Sequence, residues 1–117
     1  MKVLIVEDNA DLGRLLQLEM EDAGHIAHLT RDIAQAVEAV RGAKFDVVIS
    51  DLSLPDGDGR TLARELRQSH PDLPLIAVSG YASAVDVALC HDAGFTAHVD
   101  KFGGAGALLE EINRLKK

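Results

Sequence analysis

Phe45-Asp46-Val47-Val48-Ile49-Ser50-Asp51-Leu52-Ser53-Leu54-Pro55-Asp56-Gly57-Asp58-Gly59 is an apolar run that closes on a carboxylate and then breaks into a tight, glycine-rich loop. A strand covered on both faces reads as a continuous apolar stretch. Its end is the first place where a polar side chain reaches solvent while the backbone stays fixed. Asp51 stands at that junction. The same punctuation recurs: Val3-Leu4-Ile5-Val6 ends at Glu7 and Asp8, Leu75-Ile76-Ala77-Val78 at Ser79, and Ala97-His98-Val99-Asp100 at Lys101. Together these strand ends present three acids, a hydroxyl and an amine.

Between the apolar runs the period changes to that of helices. Leu12, Leu15, Leu16 and Met20 recur at helical spacing, with Asn9 as N-cap and Gly24 as terminator. His25 to Leu29 reads as a second strand, after which Thr30 caps a helix carrying Ile33, Val37 and Val40 that stops at Gly42. Leu62, Ala63 and Leu66 mark a third helix over Arg60 to Gln68. A fainter fourth, Ala84 to Ala93, ends at Gly94. Leu108, Leu109, Ile112 and Leu115 define the last helix, where Lys116 and Lys117 suit the negative end of its dipole. Five strands each followed by a helix make an α/β domain with a parallel sheet. In such sheets sites form beyond the carboxyl ends of the strands, where strand order reverses. If the first and third strands are neighbours there, Glu7, Asp8 and Asp51 converge.

At 117 residues the chain falls in the usual single-domain range, and a globular chain of this size buries roughly two-thirds of its unfolded surface. Hydrophobic residues at 47% and charged residues at 26% exclude disorder and fibre. With aromatics at only 3%, the core is left to Leu, Val, Ile and Ala. A net charge of −7 argues against binding nucleic acid or an anionic membrane through this domain. No apolar stretch approaches the ~20 residues of a membrane span, and Met1-Lys2-Val3 runs straight into a strand without a signal-peptide pattern. The expected setting is therefore cytoplasmic. The single cysteine, Cys90, excludes an internal disulfide, and no Cys or His cluster gives it a reactive role.

Each site residue taken alone has a plainer role. Glu7 and Asp8 read as helix caps, Asp56 and Asp58 as turn formers, Ser79 before Gly80 as a turn, and Lys101 as a surface charge. His25, His28, His70 and His91 form no metal-binding spacing and read as structural or solvated.

Taken jointly and in this order, Glu7-Asp8, Asp51, Ser79 and Lys101 at successive strand ends resemble the receiver domain of two-component response regulators. The resemblance spans residues 1–117 as one domain, and the loop from Asp51 to Gly57 is among its more specific parts. It implies a doubly wound, flavodoxin-like fold with five parallel strands in the order 2-1-3-4-5. It implies that Asp51 accepts a phosphoryl group from a phosphohistidine on a histidine kinase or histidine phosphotransfer protein. Asp8 would bind Mg²⁺ directly, Glu7 through water, and the Ser53 backbone carbonyl would complete the protein ligands together with Asp51. Ser79 and Lys101 would contact the phosphoryl group, and Ser79 would act as a switch. Such a domain catalyses only its own phosphorylation and dephosphorylation, and signals through a changed surface.

The residue types suit that chemistry. A carboxylate nucleophile approaching an anionic phosphoryl group needs cations nearby, and phosphoryl transfer asks the protein mainly for positioning and charge neutralisation. Clustered carboxylates suit Mg²⁺, and Lys101 adds a point charge.

Two positions depart from the family pattern. His98 stands three residues before Lys101, where receivers carry a Tyr or Phe that swings inward with the hydroxyl. A charged imidazole resists that movement, so activation is expected to fade as pH falls. Phe102 stands where receivers carry a cis Pro, and a cis bond costs a non-proline residue about 2.5 to 4 kcal/mol. A trans Lys101-Phe102 peptide is expected, with Gly103 and Gly104 rerouting the chain. Tyr81, the only Tyr, follows Ser79 by two residues and is expected to report its movement. Ser79-Gly80-Tyr81, Ala93-Gly94-Phe95 and His98 look more like receivers of hybrid sensor kinases than those fused to DNA-binding domains.

Two alternatives remain open at this level. One is a receiver-like interaction module that is never phosphorylated. The other is a Mg²⁺-dependent phosphatase of the haloacid dehalogenase type, against which Ser53 stands where a second Asp is required.

Overall fold

The apolar runs form the centre of a sheet. Val3, Leu4, Ile5 and Val6 of β1 (Lys2–Val6) and Val47, Val48 and Ile49 of β3 (Val47–Asp51) are each at most 1% exposed, so both strands are covered on both faces. The computed structural model describes residues 1–80, 84–100 and 105–115. β2 (Ile26–Thr30) flanks β1, while β6 (Leu75–Ser79) and β7 (Ala97–Asp100) continue beyond β3. All pairings are parallel, and the order is β2-β1-β3-β6-β7. Counting only the strands of this sheet, that is the expected 2-1-3-4-5. A separate two-stranded hairpin, β4 (Ser53–Leu54) with β5 (Gly57–Asp58), lies in the loop after Asp51 and was not expected from the sequence.

The helices are α1 (Ala10–Asp22), α2 (Ile33–Gly42), α3 (Gly59–Ser69), α4 (Ala84–Ala93) and α5 (Ala105–Leu115). They cover two faces, because alternate strand residues point to opposite sides. Leu4, Val6, Val48, Leu75 and Ala77 pack against Ile33, Ala36 and Val40 of α2, Leu62, Ala63 and Leu66 of α3, and Cys90 and Ala93 of α4. Val3, Ile5, Val47, Ile49, Ile76, Val78 and Val99 pack against Met20 of α1 and Leu108 and Ile112 of α5. Truncating any of the large, fully buried members to Ala costs about 2–5 kcal/mol, because the walls collapse only partly into the cavity.

Local chemistry sets the helix starts. Asn9 caps α1 as expected, accepting from the Leu12 amide at 3.1 Å. Thr30 does not cap α2. It is the last residue of β2, and its buried hydroxyl donates to the Ile5 carbonyl at 2.9 Å, while Asp32 accepts from Gln35 N at 2.7 Å as the N-cap. Leu15 departs from the expected apolar stripe of α1: it is 51% exposed, whereas Leu12 and Leu16 are half-buried and Met20 is buried. The spacing of Leu12, Leu16 and Met20 repeats every fourth residue and holds one line along the helix, which Leu15 leaves.

At the far end of the sheet from Asp51, Arg67 ties three segments together. Its guanidinium donates to the carbonyls of Gly94, His70, Pro71 and Leu73 and to Thr96 Oγ1. Gly94 (φ +114°) leaves room for that side chain, since a Cβ there would come within 2.5 Å of Arg67 Cγ.

Candidate functional site

Strand order reverses between β1 and β3, so the chain leaves these neighbours in opposite directions and opens a crevice at their carboxyl ends. Val6 pairs with Ser50, which brings the next residues, Glu7 and Asp51, level across one strand spacing of about 4.8 Å. Asp8 follows at once. One carboxylate oxygen from each of Glu7, Asp8 and Asp51 lies within 4.8 Å of the other two. Glu7 and Asp51 are buried, at 3% and 8% exposure, and Asp8 is exposed.

The backbone holds these acids in place. The Glu7 amide donates to the Thr30 carbonyl at 3.0 Å. The Ser53 amide reaches Asp51 Oδ1 at 3.3 Å, the Ser50 hydroxyl donates to the Asp51 carbonyl at 2.8 Å, and the Gly59 amide donates to the Leu52 carbonyl at 2.8 Å. Gly59 has to be glycine because a Cβ there would overlap the Asp51 carbonyl oxygen and approach Leu52 Cα to 3.0 Å.

Three hard, anionic oxygens gathered at one edge suit Mg²⁺, which takes one or two carboxylates plus water and phosphate oxygens. The donor set therefore fits that ion. A soft or nitrogen-seeking metal would find neither thiolate nor imidazole in the cluster.

On the other side of Asp51, β6 brings Ser79 one residue beyond the Asp51-Val78 pair, and β7 brings Asp100 opposite Ser79 and His98 opposite Ala77. Ser79 and His98 thus share a face of the sheet, the one that α4 covers. Ser79 Oγ and His98 Nε2 lie 2.7 Å apart, a hydrogen bond between two half-buried groups. Burial holds the His98 imidazole below its ordinary titration range, Asp100 and Asp86 oppose that, and His91 adds to it.

A cleft of about 240 Å³ opens between the loop after Asp51 and Ser79, lined in part by Ser53, Ser79, Arg60 and Asp86. A larger one of about 690 Å³ lies at the opposite end of the strands, among Ala43, Phe45, His70 and Pro74, away from the acid cluster. The smaller cleft is where chemistry belongs in an open parallel sheet.

Asp58 and Asp56 do more than form a turn. Asp58 caps α3 through the Arg60 amide at 2.9 Å, and its Oδ2 accepts from Arg60 Nη2 at 2.7 Å and Nε at 3.0 Å. The Arg60 side chain first, then its backbone amide and nearby positive charge, hold the Asp58 carboxyl below the ordinary range against the cost of burial. Asp56 reaches across to α2 and accepts from the Ile33 and Ala34 amides at 3.0 and 3.1 Å, which likewise lowers its pKa. Arg60 was not singled out by the sequence, although its place two residues after a capping Asp was a signal. Cys90 is fully buried and its thiol is pushed up by desolvation, in keeping with an unreactive core residue. Lys101, Tyr81 and the Lys101-Phe102 peptide lie outside the described residues.

The family model described as the response regulator receiver domain matches residues 3–113. The sensor kinase CckA of Brucella abortus is 39% identical over 82 residues, which make up 68% of this chain and 9% of that kinase. The virulence transcriptional regulatory protein PhoP of Salmonella choleraesuis is 38% identical over 90 residues, 74% of this chain and 40% of that protein. The chain thus spans less than half the length of these relatives. A two-component response regulator from Clostridium difficile superposes with a TM-score of 0.93 at 20% identity, covering 99% of this chain and 95% of that one. The chemotaxis response regulator CheY4 of Vibrio cholerae gives 0.91 at 24% identity, with 97% of each chain covered. At those identities the structures share the fold. Among the described residues, no helix is long and apolar enough to cross a membrane.

Proposed function

The chain belongs to the response regulator receiver domain family, and from that membership we propose that Asp51 accepts a phosphoryl group from a phosphohistidine on a histidine kinase or phosphotransfer protein in the cytoplasm. The observation that carries this reading is the meeting of Glu7, Asp8 and Asp51 within 4.8 Å at the switch point of the sheet.

An Asp51 oxygen attacks phosphorus, the P–N bond of the donor breaks with its electron pair going to the imidazole nitrogen, and an acyl phosphate forms. Two like charges about 4 Å apart repel by ~1 kcal/mol in water and ~4 kcal/mol near a protein surface, so the approach needs positive charge. Asp8 would hold Mg²⁺ directly and Glu7 through water, with Asp51 and the Ser53 carbonyl completing the protein ligands. When bound, Mg²⁺ offsets the repulsion between Asp51 and the incoming group. Lys101 would add a second cation. Ser79, one residue beyond the level of Asp51 on the neighbouring strand, supplies a hydroxyl that turns toward the phosphoryl oxygens and moves its loop, which alters the surface read by a partner. No general base is required, because phosphoryl transfer to a carboxylate asks the protein mainly for positioning and charge neutralisation.

Incubation with acetyl phosphate, with and without Mg²⁺, followed by intact mass measurement, tests the reading. One phosphoryl adduct is expected in the presence of Mg²⁺ and none in Asp51→Asn. Asp8→Ala should abolish the Mg²⁺ dependence with little loss of thermal stability, since it removes an exposed acid from among like charges. No adduct on the wild-type chain would refute the proposal, and turnover of the donor without an adduct would point to a phosphatase.

A further inference from the structure

Ser79 has one hydroxyl proton, and the 2.7 Å contact between Ser79 Oγ and His98 Nε2 decides what that proton is free to do. Where the Nε2 lone pair accepts, the proton is committed to the imidazole and the serine offers an anion at Asp51 only lone pairs. Where Nε2 carries a hydrogen, it donates to Oγ, and the hydroxyl proton is free to point elsewhere. Neutral imidazole allows both arrangements, whereas imidazolium, with a hydrogen on each nitrogen, allows only the second.

We propose that His98 is a positioning residue for the anion held at Asp51, its protonated ring fixing the Ser79 hydroxyl as a donor toward that anion. The inference rests on the phosphoacceptor reading and adds a residue and a proton to it. The two side chains are placed for this by the sheet register: His98 pairs with Ala77 and Ser79 with Asp100, so they are diagonal neighbours on one face. Among the described residues, the ionisable groups facing the ring are Asp100 on its own strand and Asp86 and His91 on α4; the facing positions of β6 are Ala77 and Ser79, and α5 packs on the opposite face of β7. Burial disfavours the charged ring. The proton is therefore taken up only below the ordinary imidazole value of about 6.5. Both consequences of uptake, a freed donor and an added positive charge, favour an anion at Asp51. The proposed sign is opposite to the expectation from sequence, in which a charged ring resists inward movement, because His98 is already hydrogen-bonded to Ser79.

Beryllofluoride, a phosphoryl mimic that binds without an acyl phosphate to hydrolyse, allows the test on the full chain with Mg²⁺. Its affinity is measured across about pH 5.5 to 8 for wild type, His98→Phe and His98→Gln. Relative to His98→Phe, which cancels the pH dependence of the acids and of the probe, wild type should bind about tenfold tighter or more at the acid end, the gain of one hydrogen bond to a charged group. His98→Gln, whose amide donates at every pH, should stay tight throughout. By reciprocity, beryllofluoride should raise the NMR titration midpoint of the His98 ring, by about one pH unit for a tenfold effect. Parallel profiles for wild type and His98→Phe, or an unmoved ring titration on binding, would overturn the role of His98 while leaving the phosphoacceptor reading intact. A wild-type chain that neither binds beryllofluoride nor forms the phosphoryl adduct would overturn both.

Discussion

Gly59→Ala places a methyl group where a Cβ overlaps the Asp51 carbonyl oxygen and meets Leu52 Cα at 3.0 Å. Both obstacles are backbone atoms, so no rotamer change relieves the contact. On helix propensity alone the substitution would stabilise α3 by about 0.5–1 kcal/mol. Overpacking against a fixed neighbour costs about 1–3 kcal/mol. Displacing the loop also strains the 2.8 Å bond from the Gly59 amide to the Leu52 carbonyl, worth a further ~0.5–1.5 kcal/mol. The steric term wins, and a net loss of about 1–3 kcal/mol is expected. At roughly 3–6 °C per kcal/mol for a chain of this length, Tm should fall by roughly 5–15 °C. Gly106→Ala in α5 is the matched control. Outside its own helix and chain neighbours, nothing among the described residues lies within 4 Å of the added methyl group there, so Tm should hold or rise. Thermal unfolding followed by circular dichroism reads both variants, and the yield of phosphoryl adduct on Gly59→Ala reports whether Asp51 has shifted. A Gly59→Ala chain as stable as wild type would refute the view that Gly59 is the backstop of Asp51.

Arg67→Met keeps the aliphatic stem but leaves the carbonyls of Gly94, His70, Pro71 and Leu73 without the guanidinium; a loss of about 1–3 kcal/mol in urea unfolding is expected, and an unchanged midpoint would show that water replaces the fork at no cost. Asp56→Asn should speed amide exchange at Ile33 and Ala34. Because the folded Asp56 pKa is lowered, its stabilisation is present above the ordinary Asp value of about 3.9 and lost as pH falls through the folded value; wild type should therefore lose more stability than the variant on acidification. Cys90, buried and with its thiol pushed up, should react with iodoacetamide at least about tenfold more slowly in the native than in the denatured chain.

The strands and their ends were legible because a buried parallel strand has an unbroken apolar signature, and Val3 to Val6 and Val47 to Ile49 carry it. Glu7, Asp8, Asp51 and Ser79 were legible for the same reason, each standing where such a run stops. Contacts that cross the chain left no local trace. Thr30 has the composition of a helix cap, yet the register of β2 on β1 turns its hydroxyl to the Ile5 carbonyl, and the cap falls to Asp32. Asp56 looks like a turn residue because the α2 amides it accepts from are more than twenty positions away. Arg67 reads as one charge on a polar helix face until the chain brings Gly94 and Thr96 beside it. His98 was legible as a departure from the family pattern. Its bond to Ser79 needed the pairing of β6 with β7, since one residue of slip would turn the imidazole to the opposite face.

Everything proposed for the site depends on Asp51 carrying the phosphoryl group. The chain treated with acetyl phosphate and Mg²⁺ is to be reduced with borohydride, which converts an aspartyl phosphate to homoserine, and then digested and sequenced by mass spectrometry. Homoserine at position 51 alone, absent when Mg²⁺ is withheld, is the predicted result. The same spectrum would reveal homoserine at Asp8 or 5-hydroxynorvaline at Glu7, and a modified residue other than Asp51, or none, would contradict the assignment.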